Sequence, residues 1–231
     1  MTMETRTSAT DLAVVPHAVL SAVSHELRGP LGVARGYLRL LAQTAALDPR
    51  GAKMVADAQR ATDRMSELLD EVSELARWIR GQHTVNLARV PLHEILTAAA
   101  GGATLPNAAP IRIEVDAPED VTAEVDRVPL TRAWSALVAA TARAQVQDAT
   151  IALVLRAADP GHAGLRIAPL ELLGAADERP PALERAGAGL SLALADLIVQ
   201  RHGGRLVERW SGDVWAGYHC WLKTRPLTID D

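Results

Sequence analysis

Two long segments near the start of the chain carry apolar side chains at helical spacing, and this pattern constrains the fold most. In the first, expected from about Thr10 to Ala46, four leucines fall within roughly 20° of one line at ~100° per residue: Leu20, Leu27, Leu31 and Leu38. In the second, expected from about Ala52 to Arg80, the apolar positions step by three or four: Met54, Ala58, Ala61, Met65, Leu68, Val72, Leu75 and Ile79.

The stretch between the two segments, Leu47 to Gly51, reads Leu-Asp-Pro-Arg-Gly and is typical of a turn. Two amphipathic helices joined by a short turn cannot bury both apolar stripes by themselves. The pattern therefore predicts a hairpin that pairs with a second copy in a dimeric four-helix bundle. Packing of the hairpin against the rest of the chain is the alternative.

The first segment also carries an imidazole on its water-facing side. His25 lies roughly 140° from the leucine line, so we expect it to be exposed and to be a candidate nucleophile. A neutral imidazole is a good nucleophile near neutral pH. Glu26 beside it can accept or orient the other ring proton. The alternative for Glu26 is a solvated charge that pairs with nearby arginines.

Three glycines share the face of His25, and arginines flank them. Because each glycine inside a helix costs about 1 kcal/mol relative to alanine, a stripe of them favours a function, here the close approach of another protein. The arginines would attract an acidic partner. The alternative is that the glycines are tolerated helix defects beside Pro30. The predicted docking surface consists of Arg28, Gly29, Gly32, Arg35 and Gly36.

The stretch Ser24 to Leu31, Ser-His-Glu-Leu-Arg-Gly-Pro-Leu, resembles the H-box of two-component sensor histidine kinases, with Gly29 where the family usually has Thr. A second stretch, Gly187 to Leu194, followed by His202-Gly203-Gly204, resembles the G2 box of their ATP-binding domain. The resemblance implies a phosphoacceptor His25, a homodimer, response-regulator partners and an ATP-binding domain of the Bergerat fold. Since the family's Thr is implicated in positioning water for dephosphorylation, Gly29 argues against that activity.

The same resemblance indicates that the nucleotide site has degenerated. The family's metal-binding asparagines align with Ala136 and Ala140, and a methyl group cannot bind a metal. The adenine-reading Asp-x-Gly-x-Gly motif is replaced by Ala168 to Leu172, Ala-Pro-Leu-Glu-Leu, and the chain has no Phe for the family's Phe-containing box. Only Gly187 and Gly189, ahead of a helix, remain as a vestigial phosphate cradle. We therefore expect no ATP, magnesium or other metal.

Beyond the hairpin, helices and strands alternate. They predict an α+β fold, an α/β two-layer sandwich that the resemblance identifies as a degenerate Bergerat domain. The predicted domains are a disordered segment at residues 1–10, the hairpin at 11–80, a linker at 81–88 and the ATPase-like domain at 89–231. The predicted helices are Pro91–Ala100, Pro129–Gln145 and Leu190–Arg201, and the predicted strands are Ile111–Val115, Val121–Val125, Thr150–Leu155, Leu165–Ile167, Arg205–Trp210 and Tyr218–Leu222.

Composition excludes several function classes. The net charge of −4 over 231 residues argues against a nucleic-acid surface. The single Cys220 excludes a disulfide framework and fits a reducing compartment. No apolar run reaches the ~18 residues that a membrane span needs, so we expect a cytoplasmic protein that receives its input from another protein. His202 is expected to end a helix rather than to bind a ligand.

These observations predict a histidine phosphotransfer protein, which exchanges a phosphoryl group between His25 and the aspartate of response-regulator domains. Two alternatives stay open. One is an active histidine kinase with a divergent ATP site, and the other is a non-catalytic pseudokinase that only binds a regulator.

Overall fold

The computed structural model describes residues 17–44, 46–105, 110–145, 148–158, 161–182 and 189–224. The chain divides into two compact units, of which one spans Leu12–His83 and the other contains Thr84–Asp231. The predicted disordered segment 1–10 and the expected start of the first helix lie outside the described residues.

The first unit, the helical unit, is a hairpin of α1 (His17–Thr44) and α2 (Pro49–Ile79). The predicted turn between them forms for a physical reason. The Asp48 carboxylate accepts a hydrogen bond from the Gly51 N–H at 2.6 Å, which satisfies a free donor at the start of α2, and Pro49 occupies the first turn. The predicted two-helix hairpin is thus confirmed.

One apolar face of the helical unit stays open to solvent in the single chain. Leu27 is 49% exposed and Met65 is 46% exposed, although both belong to the predicted apolar stripes. The face contains a groove of about 360 Å³ with a wholly apolar lining, formed by Leu27, Pro30, Leu31, Met65, Leu68 and Leu69. Apolar area of this kind favours a partner that would cover it.

The second unit, the sheet unit, contains a six-stranded sheet in the order β2-β4-β5-β8-β7-β6 and a separate antiparallel pair β1–β3. Within the six-stranded sheet β2 and β4 are parallel and the other neighbours are antiparallel. The elements in chain order are β1 (Ala88–Pro91), α3 (Leu92–Gly102), β2 (Ile111–Asp116), β3 (Thr122–Val125), α4 (Arg127–Arg143), β4 (Ala149–Ala158), β5 (His162–Pro169), β6 (Asp177–Arg179), α5 (Gly189–Arg201), β7 (Arg205–Ser211) and β8 (Val214–Lys223).

The helices form one layer of the sheet unit and the six-stranded sheet forms the other. The central helix α4 packs against α3 and α5 and against the sheet. Trp134 and Leu137 of α4 are fully buried there, as is Cys220 of β8. Burial raises the pKa of the Cys220 thiol to about 12, which the neighbouring Trp134 side chain only partly opposes. The predicted α+β class is confirmed, and Cys220 packs as a small apolar side chain.

Three short elements were not predicted. The strand β1 begins at Ala88, the last residue of the predicted linker, and Pro91 ends the strand rather than opening the following helix. A 3-10 turn spans Leu170–Leu172, and β6 is formed by Asp177, Glu178 and Arg179 alone. Three consecutive charged residues show no alternation, so only pairing with β7 makes them a strand.

Candidate functional site

His25 and Glu26 lie on α1 and both are exposed, as expected for the water-facing side of the helix. The residue before them, Ser24, is fully buried, and its hydroxyl donates to the Leu20 carbonyl at 2.7 Å. Since successive helix residues are ~100° apart, His25 faces solvent although the neighbouring Ser24 is buried. The imidazole is thus accessible to a second protein, while its role as phosphoacceptor stays a prediction.

The helix backbone is weakest in the same turn. Pro30 lies inside α1 and has no N–H, so the Glu26 carbonyl lacks its normal helical donor. Gly29 before it adds conformational freedom at an interior helix position. The direction in which this turn points therefore depends on contacts outside the backbone hydrogen bonds of α1.

One such contact joins this turn to α2. The Arg28 guanidinium donates to the Asp70 carboxylate at 2.8 Å and to the Ser73 hydroxyl at 2.9 Å. We name Arg28, Asp70 and Ser73 the proximal rung, because Arg28 is three residues from His25.

A second contact of the same kind lies farther along the hairpin. Arg35 donates to the Ser66 hydroxyl at 3.1 Å and pairs with the Asp63 carboxylate at 2.9 Å. We name Arg35, Asp63 and Ser66 the distal rung. The sequence predicts that both arginines contact a partner protein. In the structure their guanidinium groups bind carboxylates and hydroxyls of α2. To contact an acidic partner, either arginine would have to leave its α2 carboxylate or bind it and the partner at the same time.

The glycines of the predicted docking surface are open. At Gly29, Gly32 and Gly36 an added Cβ would meet no heavy atom within 4 Å outside the local helix backbone. All three are exposed on α1. Their openness is compatible with close approach of a partner, and that use stays a prediction.

In the sheet unit, the positions aligned with metal-binding asparagines carry no metal ligand. Ala136 is half-buried on α4, and Ala140 is only 1% exposed. The hydroxyls adjacent to these positions belong to Ser135 and Thr141, which donate to the Ala99 carbonyl at 3.1 Å and to the Leu137 carbonyl at 2.9 Å. Both hydroxyls are therefore already used in backbone contacts. The residues of α4 do not fit a hydrated magnesium ion at these positions.

The segment that replaces the adenine-reading motif is held by side chains of the sheet. After β5 ends at Pro169, the chain forms the 3-10 turn over Leu170–Leu172. Arg166 donates to the Leu173 carbonyl at 3.1 Å. Arg209 donates to the Ala175 carbonyl through Nε at 3.0 Å and also through Nη2. Two guanidinium groups thus fix the backbone of this segment.

Sequence reasoning missed the charged cluster around Glu178. Its carboxylate accepts from Arg209 at 2.7 Å and from Arg205 at 3.0 Å, and the His219 Nδ1 lies 3.7 Å from it. Burial, followed by the positive charges of Arg166 and Arg209, lowers the pKa of His219 to about 4. Because side chains alternate along β8, His219 and Cys220 lie on opposite faces of the sheet. This alternation is the one feature of the sequence that indicates the position of His219.

The end of α5 behaves as the sequence predicted. His202 is buried, its Nδ1 lies 2.7 Å from the Ile198 carbonyl, and its Nε2 accepts from the Asp126 N–H at 3.0 Å. These partners assign the proton to Nδ1 and leave His202 a structural contact between α5 and the start of α4. Gly203 follows at a φ of +71°, the left-handed conformation of a helix end.

The glycine-rich motif is only partly described. Gly189 is the first residue of α5, whereas Gly187 lies outside the described residues. Farther along α5, Asp196 is buried, and burial raises the pKa of its carboxyl although Gln200 donates to it at 2.9 Å. Within the described residues no three side chains of His, Cys, Asp or Glu come together as a metal site.

Comparisons with known proteins show which family this chain resembles. The profile of the His Kinase A (phospho-acceptor) domain matches residues 17–81, which contain α1, α2 and His25. Sensor protein DivL of Caulobacter vibrioides is 28% identical over 198 residues, which are 79% of this chain and 25% of that protein. The comparisons support a member of the two-component sensor histidine kinase family, with the phospho-acceptor domain at residues 17–81. The histidine-protein kinase BaeS of Escherichia coli is 26% identical over 83% of this chain and 43% of its own length.

Solved structures support the same fold for this histidine kinase family member. Full-length ShkA in complex with AMPPNP matches with a TM-score of 0.66 at 22% identity, covering 91% of this chain and 46% of that one. The histidine kinase AdeS of Acinetobacter baumannii matches with a TM-score of 0.53 at 14% identity, covering 87% of this chain and 98% of that one. The match to this chain spans 25% of the length of DivL and 43% of the length of BaeS. In the described part of the chain, no helix has the length and apolar character of a membrane span.

Proposed function

We propose that this histidine kinase family member is a phosphotransfer protein in two-component signalling. His25 receives a phosphoryl group from the phosphorylated aspartate of one response-regulator domain and donates it to the aspartate of another. The observation that carries the proposal is an exposed His25–Glu26 pair on one unit combined with Ala136 and Ala140 on the other. The phosphoacceptor chemistry is retained while the metal ligands for ATP are absent from those positions.

The transfer step needs no ATP site in this chain, because the phosphoryl group comes from the regulator. A lone pair on one ring nitrogen of neutral His25 attacks the phosphorus, the P–O bond to the regulator's aspartate breaks, and that carboxylate leaves. The proton on the other ring nitrogen moves to Glu26 or to water. Magnesium held by the regulator neutralises the phosphoryl oxygens, and return transfer reverses each step.

The loss of ATP binding is a separate part of the proposal. It is supported by the methyl groups at Ala136 and Ala140 and by the segment Ala168 to Leu172, which lacks the Asp and the glycine pair with which the family reads adenine. Gly187 and Gly189 are then a remnant that binds no nucleotide.

The proposed partners are receiver domains of response regulators, together with a second copy of this chain. Dimerisation and response-regulator partners are general in the family. The open glycines of α1 support close docking beside His25, and the exposed apolar groove of the helical unit supports the dimer. No nucleic acid and no membrane insertion are proposed.

The main experiment adds a receiver domain carrying a radioactive aspartyl phosphate to the full chain. We expect acid-labile label on the protein, none on the His25→Gln variant, and normal label on His162→Gln, which removes another exposed imidazole. Sedimentation velocity checks that the variants keep the assembly state of the parent. Equal labelling of His25→Gln would overturn the phosphotransfer assignment, and regulator binding without any label would favour the pseudokinase.

A second experiment incubates the full chain with γ-labelled ATP and Mg²⁺. We expect no acid-labile label, because no magnesium ligand stands at Ala136 or Ala140. Label that appears on the parent and is lost in His25→Gln would overturn the ATP-loss proposal and establish the kinase alternative.

A further inference from the structure

The proximal and distal rungs are the same contact repeated after seven residues. Arg28 and Arg35 are one heptad apart on α1, and each binds one Asp and one Ser on α2. On α2 the order is reversed, since Asp70 and Ser73 serve Arg28 while Asp63 and Ser66 serve Arg35. Antiparallel helices that repeat a contact at heptad spacing fix both register and rotation of α1 about α2.

Both rungs are partly exposed to water, so neither contributes much to the free energy of unfolding. The side chains of Arg28 and Asp70 are 43% and 70% exposed, and those of Arg35 and Asp63 are 34% and 56% exposed. Exposed ion pairs of this kind contribute about 0–1 kcal/mol. A difference between the rungs must therefore come from where each is attached.

The proximal rung is attached to the weakened turn of α1. Arg28 lies between His25 and Pro30, within the stretch where the Glu26 carbonyl lacks a helical donor. The distal rung is attached one heptad later, beyond Pro30. Only the proximal rung therefore restrains the backbone that carries the imidazole.

We propose that Arg28 is a positioning residue which, through Asp70 and Ser73, holds the His25 turn in the orientation needed for phosphoryl transfer. This inference rests on the proposed function of His25. It gives Arg28 a role inside the hairpin, and the direct partner contact that the sequence predicts for Arg28 stays a separate prediction.

The experiment removes each rung from the α2 side and leaves the H-box unchanged. The proximal variant is Asp70→Asn with Ser73→Ala, and the distal control is Asp63→Asn with Ser66→Ala. The two double variants make the same chemical change and lose the same charge. The rate of label transfer onto His25 is measured at increasing concentrations of phosphorylated receiver domain, which separates kcat from KM.

For the proximal variant we expect kcat to fall about three- to fivefold, which is the loss of correctly oriented His25 that removal of an exposed ion pair allows. KM should stay within about twofold, and the distal variant should change neither constant by more than about twofold. Asp70→Glu, which keeps the carboxylate, should recover most of kcat. Equal losses in both double variants would overturn the proposal, as would a raised KM with unchanged kcat, which would indicate docking.

Hydrogen exchange tests the restraint without any phosphoryl transfer. In the proximal variant the backbone amides of residues 24–32 should exchange about three- to fivefold faster than in the parent, while the distal variant should leave them unchanged. Unchanged exchange in the proximal variant would overturn the inference. If the parent accepts no label, the proposed function fails, and the exchange result still decides whether Arg28 restrains the turn.

Discussion

His219 is a buried imidazole among cations, and its neutral form is part of the folded state. The Glu178 carboxylate at 3.7 Å and the guanidinium groups of Arg166 and Arg209 are the charged groups that influence it most. Its ring also packs on Trp221, with 4.1 Å between ring centroids. Because burial and two positive charges outweigh one carboxylate, the folded protein disfavours protonation of His219.

This environment predicts a pH dependence of stability. The pKa of His219 falls from its ordinary 6.5 to about 4 in the folded state, so its contribution to the free energy of unfolding is fully present above pH 6.5. It is lost as pH falls from 6.5 toward 4, by up to about 3 kcal/mol. Urea unfolding of the parent and of His219→Phe between pH 7 and pH 4 measures the difference. The same decline in both proteins would contradict the prediction.

At the same scale, the sequence predicted the exposure of His25 because a helical wheel needs only spacing. It could not predict Glu178 as a shared partner of Arg205, Arg209 and His219, because those residues meet through strand pairing across three strands. The rungs are an intermediate case. Arg28 and Arg35 are one heptad apart, as are Asp63 and Asp70, but this spacing does not give the pairing across the hairpin, and the sequence analysis predicts docking for both arginines.

Among the elements, α1 combines a required geometry with a soft backbone. It contains Pro30 and exposed glycines at interior positions, which lower its intrinsic helix stability. A chain selected only for a stable hairpin would not need glycine at these positions. The composition of α1 therefore favours a use of its outer surface.

The variant Gly32→Ala separates stability from docking. The added methyl meets nothing within 4 Å outside the local helix backbone, so the free energy of unfolding should rise by about 0.5–1 kcal/mol. The same methyl projects from the docking surface, so the affinity for a receiver domain should fall. Gly101→Ala in α3, equally free of contacts, should leave affinity unchanged. Unfolding curves and titration calorimetry measure both effects; full affinity in Gly32→Ala would refute docking at this glycine.

The long elements were predictable and the short ones were not. Periodicity and the Asp48 turn were enough for α1 and α2, and alternation was enough for the centre of β2. The four residues of β1 and the three of β6 are too few to show a period. They form because β3 and β7 offer free backbone groups to them, which is a property of the assembled sheet.

On the scale of the whole molecule, the helical unit exposes an apolar face that bears Leu27 and Met65. A second copy of the same hairpin would cover it with an identical face, the arrangement that a twofold dimer requires. This places the proposed assembly on the helices.

The combined variant Leu27→Gln and Met65→Gln should therefore shift the protein toward monomers. Polar side chains at these positions reduce the apolar area that association would bury. Sedimentation velocity over a series of protein concentrations measures the shift. Val128→Gln, which changes a 76% exposed apolar residue of α4, should leave the assembly unchanged. A monomeric parent, or an unaffected dimer in the double variant, would contradict the prediction.

The two outer strands of the six-stranded sheet have a consequence for crowded conditions. On β2, Asp116 is bridged to Arg156 of the neighbouring strand, and Arg112 and Glu114 point to water. On the other side, β6 is short and wholly charged. Neither border offers a long apolar ribbon to which the backbone of another molecule could add, so the sheet resists open-ended stacking into fibrils. The proposed self-association is thereby left to the helical unit.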